Sequence, residues 1–105
     1  MGEYWMPVNI DKREYIDPNE VGNSLKRYEW MFDINTAELR WDSATMRRIT
    51  ALIATGKWGE RDEIRALSDS GRTSHIRGRV TARDADYDAV EDSWRDVSTE
   101  GPPDA

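Results

Sequence analysis

The chain has 105 residues, no cysteine, one histidine and a formal net charge of -6, with hydrophobic residues making up 37%. That length suits one compact domain with a single core, and the missing cysteine excludes disulfides, zinc-thiolate sites and a thiol nucleophile. No apolar run approaches the roughly 20 residues a bilayer span needs and no signal-peptide core follows Met1, so the chain reads as soluble and cytoplasmic. Only Lys12, Lys26 and Lys57 are lysines among 15 basic residues. Low lysine with abundant carboxylate suits a high-salt cytoplasm, and equally an arginine-favouring, GC-rich genome. An acidic chain makes a poor general partner for nucleic acid, whose phosphates need a positive field.

In chain order, Tyr4 to Ile10 reads as a strand, with Tyr4, Met6, Val8 and Ile10 on one parity and Trp5, Pro7 and Asn9 on the other. Pro7 cannot donate to a ladder, so this is an edge strand or one whose seventh residue faces away from its neighbour. Asp11-Lys12 forms a turn into a short strand at Arg13–Ile16, and Asp17–Asn23 reads as a loop. Leu25, Tyr28 and Phe32 then recur at helical spacing, with Asn23 or Ser24 as cap. Between Asp33 and Trp41 the alternation of Ala37, Leu39 and Trp41 leans to a strand.

The clearest helix covers residues 44–55. Ser43 caps it, Met46, Ile49, Leu52 and Ile53 form its buried stripe, Arg47 and Arg48 lie outside, and Gly56 takes the left-handed C-terminal position. The stretch Glu60–Gly71 is polar, with Ile64 and Leu67 anchoring one or two helical turns. Residues 74–82 alternate strictly, with Ile76, Val80 and Ala82 facing the core and His75, Arg77, Arg79 and Thr81 facing out. Asp84–Asp88 makes an acidic turn, after which Tyr87, Val90 and Trp94 share a helical face. The single domain covers 1–97, and 98–105, with Gly101-Pro102-Pro103, reads as a disordered tail.

The residues Met1-Gly2-x-Tyr4, Val8-Asn9-x-Asp11-Lys12-Arg13-Glu14-Tyr15, Pro18, Gly22 and Leu25-Lys26 resemble the opening of a set of short uncharacterised bacterial, archaeal and phage proteins. Gly78-Arg79-Val80 and Asp86-Tyr87 echo that set's later motifs, although no Asp follows Gly78 and Ala85 stands where a glycine is typical. The resemblance implies cytosolic residence and a mobile-element origin. It implies no activity.

Chemistry-bearing patterns are sparse. His75, the one histidine, stands among arginines, and no nucleophile elbow accompanies it. Asp84-x-Asp86-x-Asp88 opens like a calcium loop but has Ala89 and Arg95 where Gly and Glu are needed, so these acids are weak metal candidates that serve better at a helix start. No phosphate-cradling loop is present, no cofactor is implied, and no catalytic residue can be named. Five tryptophans are many for this length; Trp5, by its parity, and Trp30, off its stripe, are the candidates for an exposed contact patch. The window Arg72–Arg83 holds four arginines and no acid. His75, Arg77, Arg79 and Arg83 could hold an anion, or they could pair with the chain's own carboxylates.

Together these features predict an α+β fold: a small antiparallel sheet on one main helix and one or two shorter ones. Binding is favoured over catalysis. The expected function is a small cytosolic module that engages a protein partner or its own copy; the alternatives are a nucleotide or nucleic-acid binder using the arginine strand, then a divalent-metal-dependent enzyme.

Overall fold

A computed structural model describes residues 3–99. The fold is α+β: a five-stranded sheet, one main helix and two shorter ones. The strands are β1 (Trp5–Asn9), β2 (Glu14–Tyr15), β3 (Ile64–Ser68), β4 (Thr73–Arg77) and β5 (Arg95–Asp96); the helices are α1 (Arg27–Trp30), α2 (Ala44–Ala54) and α3 (Tyr87–Ser93). The sheet order is β4-β3-β1-β2-β5. It is mixed, not wholly antiparallel, because β5 runs parallel to β2. No helix among the described residues is long and apolar enough to cross a membrane.

β1 is the central strand, not an edge. Pro7 fits there because the carbonyls and amides of a strand alternate sides. The Ile16 amide donates to the Pro7 carbonyl (3.1 Å), so Pro7 faces β2 and owes β3 no hydrogen bond. The β1–β2 ladder spans only Val8↔Tyr15 and Asn9↔Glu14.

Both faces of β1 are covered. On one, α2 and α1 pack with Trp5, Ile64, Ala66 and Ile76 around Trp30, Met46, Ile49 and Leu52. On the other, α3 lays Tyr87 and Val90 over Met6, Val8, Ile10 and Leu67. Trp5 (2% exposed) and Trp30 (0%) are therefore core, not contact surface. The Trp30 indole N–H donates to the Trp5 carbonyl (3.2 Å). Trp41 is the exposed tryptophan instead.

β3 replaces the helical turns expected at Glu60–Gly71. All five of its residues are buried, so the alternation that marks a half-buried strand is absent, and Arg65 hides the apolar run. Helix α1 is one turn long, capped at Lys26 with no side-chain cap bond. The Leu25–Tyr28–Phe32 stripe consequently does not form, and Trp30 and Met31 carry the burial. Phe32 and Leu39 join in a single bridge, the remnant of the strand expected before Trp41.

Helix α2 matches its signals. The Ser43 hydroxyl accepts from the Met46 amide (3.2 Å), and Gly56 is left-handed at φ +78°. Met46, Ile49 and Leu52 are buried and Ile53 half-buried. Arg48 is not on the outer face: it is 5% exposed and donates to the Val97 carbonyl (3.3 Å), binding α2 to the residue that follows β5. Ile49→Ala is expected to cost about 3 kcal/mol, against less than about 0.5 for exposed Arg47→Ala; denaturant midpoints for the two variants check the helix face.

Ser98, expected to open the tail, is buried, and its hydroxyl accepts from the Asp17 amide (2.7 Å). Residues 100–105 lie outside the described residues.

Candidate functional site

The arginine window divides at Gly78. β4 ends at Arg77 because Gly78 adopts φ +83° and turns the chain away from the sheet. The Arg79 amide then donates to the Arg61 carbonyl (3.2 Å). The strand parity expected through residue 82 is thereby lost. Ile76 is buried as expected, but Val80 is 76% exposed and Ala82 is exposed too.

Beyond Gly78 the chain forms a strap fastened to two carboxylates. Glu63, 1% exposed, stands just before β3. Its carboxylate accepts from Arg65 Nε (2.8 Å), the Thr81 amide (3.3 Å) and the Thr81 hydroxyl, with Arg83 Nη2 at 3.5 Å. Asp11, in the turn after β1, accepts from the Glu63 amide (2.7 Å), Arg79 Nη2 (2.9 Å) and Arg83 Nη2 (3.1 Å). Arg65 Nη2 returns to the Thr81 carbonyl (3.1 Å). Burial pushes the Glu63 carboxyl up, but the bonds from Arg65 and Thr81 and the Arg65 charge outweigh it and hold the group at about 2. The bond from the Glu63 amide, helped by Arg83 and Arg79 against partial burial, holds Asp11 below the ordinary range.

The predicted anion residues thus separate. Arg79 and Arg83 are occupied by Asp11 and Glu63. Arg77 donates to the Glu60 carbonyl (3.1 Å), a neutral partner. His75 is exposed on β4. A cleft of about 260 Å³ lies between β4 and the strap, lined by Thr73 and His75 of β4, by Glu63 and Arg65, and by the strap from Val80 to Asp84. Its charged lining is balanced, with Asp84 opposite the arginines' excess.

Other arginines also work internally. Arg27 and Arg72 lie 5.5 and 5.8 Å from the Trp5 ring, Arg72 pairs with Glu3 (2.9 Å), and Arg13 lies 5.4 Å from the Trp94 ring. The weak metal candidates do not assemble. Asp86 is the N-cap of α3, accepting from the Ala89 amide (3.1 Å), with Asp88 in the first turn. Among the described residues no three metal-ligating side chains converge.

What sequence reasoning missed is main chain. β4 is an outer strand of the sheet. The Ser68 amide donates to the Arg72 carbonyl (2.9 Å), so Arg72 and Ser74 face β3 with their peptide groups, while those of Thr73 and His75 point outward. Thr73 and His75 are exposed, and Val80 stands beside them across the cleft. Alternation in the sequence showed a strand here; no local signal says that a strand is outermost. No family model, curated protein or solved structure matches this chain, so the site rests on its own geometry.

Proposed function

We propose that this chain is a small protein-interaction module whose contact surface is the open edge of β4. The observation that carries the reading is the pairing of outward peptide groups at Thr73 and His75 with an exposed apolar side chain, Val80, across an adjoining cleft. An extended segment laid along such an edge gains main-chain hydrogen bonds, and pockets beside the edge choose its side chains. The resemblance of the opening residues to short prokaryotic and phage proteins is consistent with an adaptor of mobile-element origin. The anion-binding alternative has less support, because Arg79 and Arg83 already hold carboxylates and the cleft lining is balanced in charge.

The test is selection of displayed random peptides on the immobilised protein, followed by Thr73→Pro. Proline there removes one outward N–H and none of the β3 ladder. Selected peptides are expected to lose about tenfold or more in affinity, that is about 1.4 kcal/mol, with the fold retained. Binders indifferent to Thr73→Pro, or a preference for nucleic acid with steep salt dependence, would overturn the reading.

A further inference from the structure

We infer that the peptide taken by the β4 edge carries a lysine or arginine directed at Asp84 of the strap. This inference rests on the interaction-module reading and names the chemistry of its partner. Although arginines crowd this part of the sequence, the charge left over in the cleft is negative. Arg65 is engaged by Glu63 (2.8 Å) and the Thr81 carbonyl (3.1 Å). Arg83 is engaged by the Thr81 hydroxyl, Asp11 and Glu63. The Arg72 guanidinium, at the start of β4, is engaged by Glu3 (2.9 Å) and the Trp5 ring (5.8 Å). Asp84 lines the cleft, is exposed, and has no hydrogen-bond or ion-pair partner among the described residues. A carboxylate entering the cleft would compete with Asp11 and Glu63 for their arginines. A cation entering it meets Asp84 without a competitor.

The sheet decides which peptide position does this. Residues directly opposite in a ladder share a face. Thr73 and His75 pair with Leu67 and Arg65, so they stand on the α3 face, where Arg65 holds the strap. A peptide residue added opposite Thr73 or His75 projects onto that same face, and its neighbours project away. Asp84 lies toward the Thr73 end: those two residues also line an adjoining hollow of about 110 Å³ that neither His75 nor Val80 reaches. The basic residue therefore belongs opposite Thr73. An apolar residue belongs two positions along, opposite His75 and beside exposed Val80. A long side chain spans the diagonal from a neighbouring strand, and its aliphatic stem can lie on apolar surface while the charged head stays in water. The net charge of -6 draws a basic peptide toward the chain before contact.

One random-peptide library, selected in parallel on the natural chain, Asp84→Asn and Asp84→Lys, tests the inference. Asp84 holds nothing else in place, so both variants should melt as the natural chain does. The natural chain is expected to enrich lysine or arginine at one position, with an apolar residue two positions away. Asp84→Asn should lose the basic preference, and Asp84→Lys should replace it with aspartate or glutamate. Synthetic peptides from the first selection should bind Asp84→Asn about fivefold more weakly, and the difference should close in about 1 M salt. Peptides that are weakened by Thr73→Pro but show no basic preference, or keep the same preference on Asp84→Asn, would overturn the inference and leave the interaction module standing. Basic peptides indifferent to Thr73→Pro would reveal attraction to the acidic surface at large and overturn both readings. A library from which nothing is selected would also overturn both.

Discussion

Glu63→Ala is expected to destabilise the protein by about 3–5 kcal/mol, because it strands Arg65 in the sheet without its anion. Arg65 is only 8% exposed and its Nε is spent on Glu63. The strap loses its fastening in the same change, since Thr81 and Arg83 both reach that carboxylate. The effect carries a pH signature. Glu63 is held at about 2 in the folded chain against 4.5 for the free group, so its contribution is complete above about pH 4.5 and fades as pH falls toward 2. Asp11, also held low, acts in the same direction. Denaturant melts between pH 6 and 2 should therefore show a steep acid limb in the natural chain and a flatter one in Glu63→Gln. An unchanged acid limb in that variant would place the acid sensitivity elsewhere.

Gly78→Ala is expected to cost more than about 4 kcal/mol, the range reserved for changes that break the backbone's own packing. A Cβ at this residue would stand 1.8 Å from the Asp62 carbonyl oxygen and 2.6 Å from its carbon. Main chain cannot give way as a side chain can, and φ is +83° besides. Gly71 supplies the control. It has a similar φ of +89° but nothing within 4 Å of its would-be Cβ, so Gly71→Ala should cost only the left-handed penalty of about 1–2 kcal/mol. Chemical denaturation of the two variants separates close approach from backbone strain; equal losses would show that the approach at Gly78 is relieved.

The existence and extent of helix α2 were legible because every signal agreed on them: a serine cap, a stripe at 3–4 spacing and a terminal glycine. Asp86 was legible as a helix start for the same reason. Strand β3 was not. It is buried on both faces, so no alternation marks it, and its arginine is neutralised by Glu63, two residues earlier, through a contact that residue type alone does not announce. The outer face of Arg48 was misread likewise, since helical spacing cannot know that Val97 returns to that side. The reach of β4 was overestimated because alternation continues on paper past Gly78, while the backbone turns there to let Arg79, Thr81 and Arg83 find Asp11 and Glu63. The candidate arginines were thus visible, but their occupancy depended on acids 68 and 72 residues away in the sequence for Asp11 alone. Trp5 was misplaced by assuming that one face of β1 is wet, and Trp30 by a helical stripe that does not form.

The place of β1 in the sheet bears on how the molecule is made. It is synthesised before the other four strands, yet it lies at the centre of their order. Its hairpin with β2 can close at once, but that ladder is two pairs long and too small to persist alone. The long ladder, five pairs from Trp5↔Ser68 to Asn9↔Ile64, waits for β3 to leave the ribosome. Met6, Val8 and Ile10 stay uncovered until α3 follows. A nascent chain of this kind has no stopping point at half length: loop closure between β1 and β3 must precede the contacts that reward it. Folding is then a late, single event, and any arrest of translation before α3 leaves an apolar strand exposed to whatever chaperone or protease reaches it first.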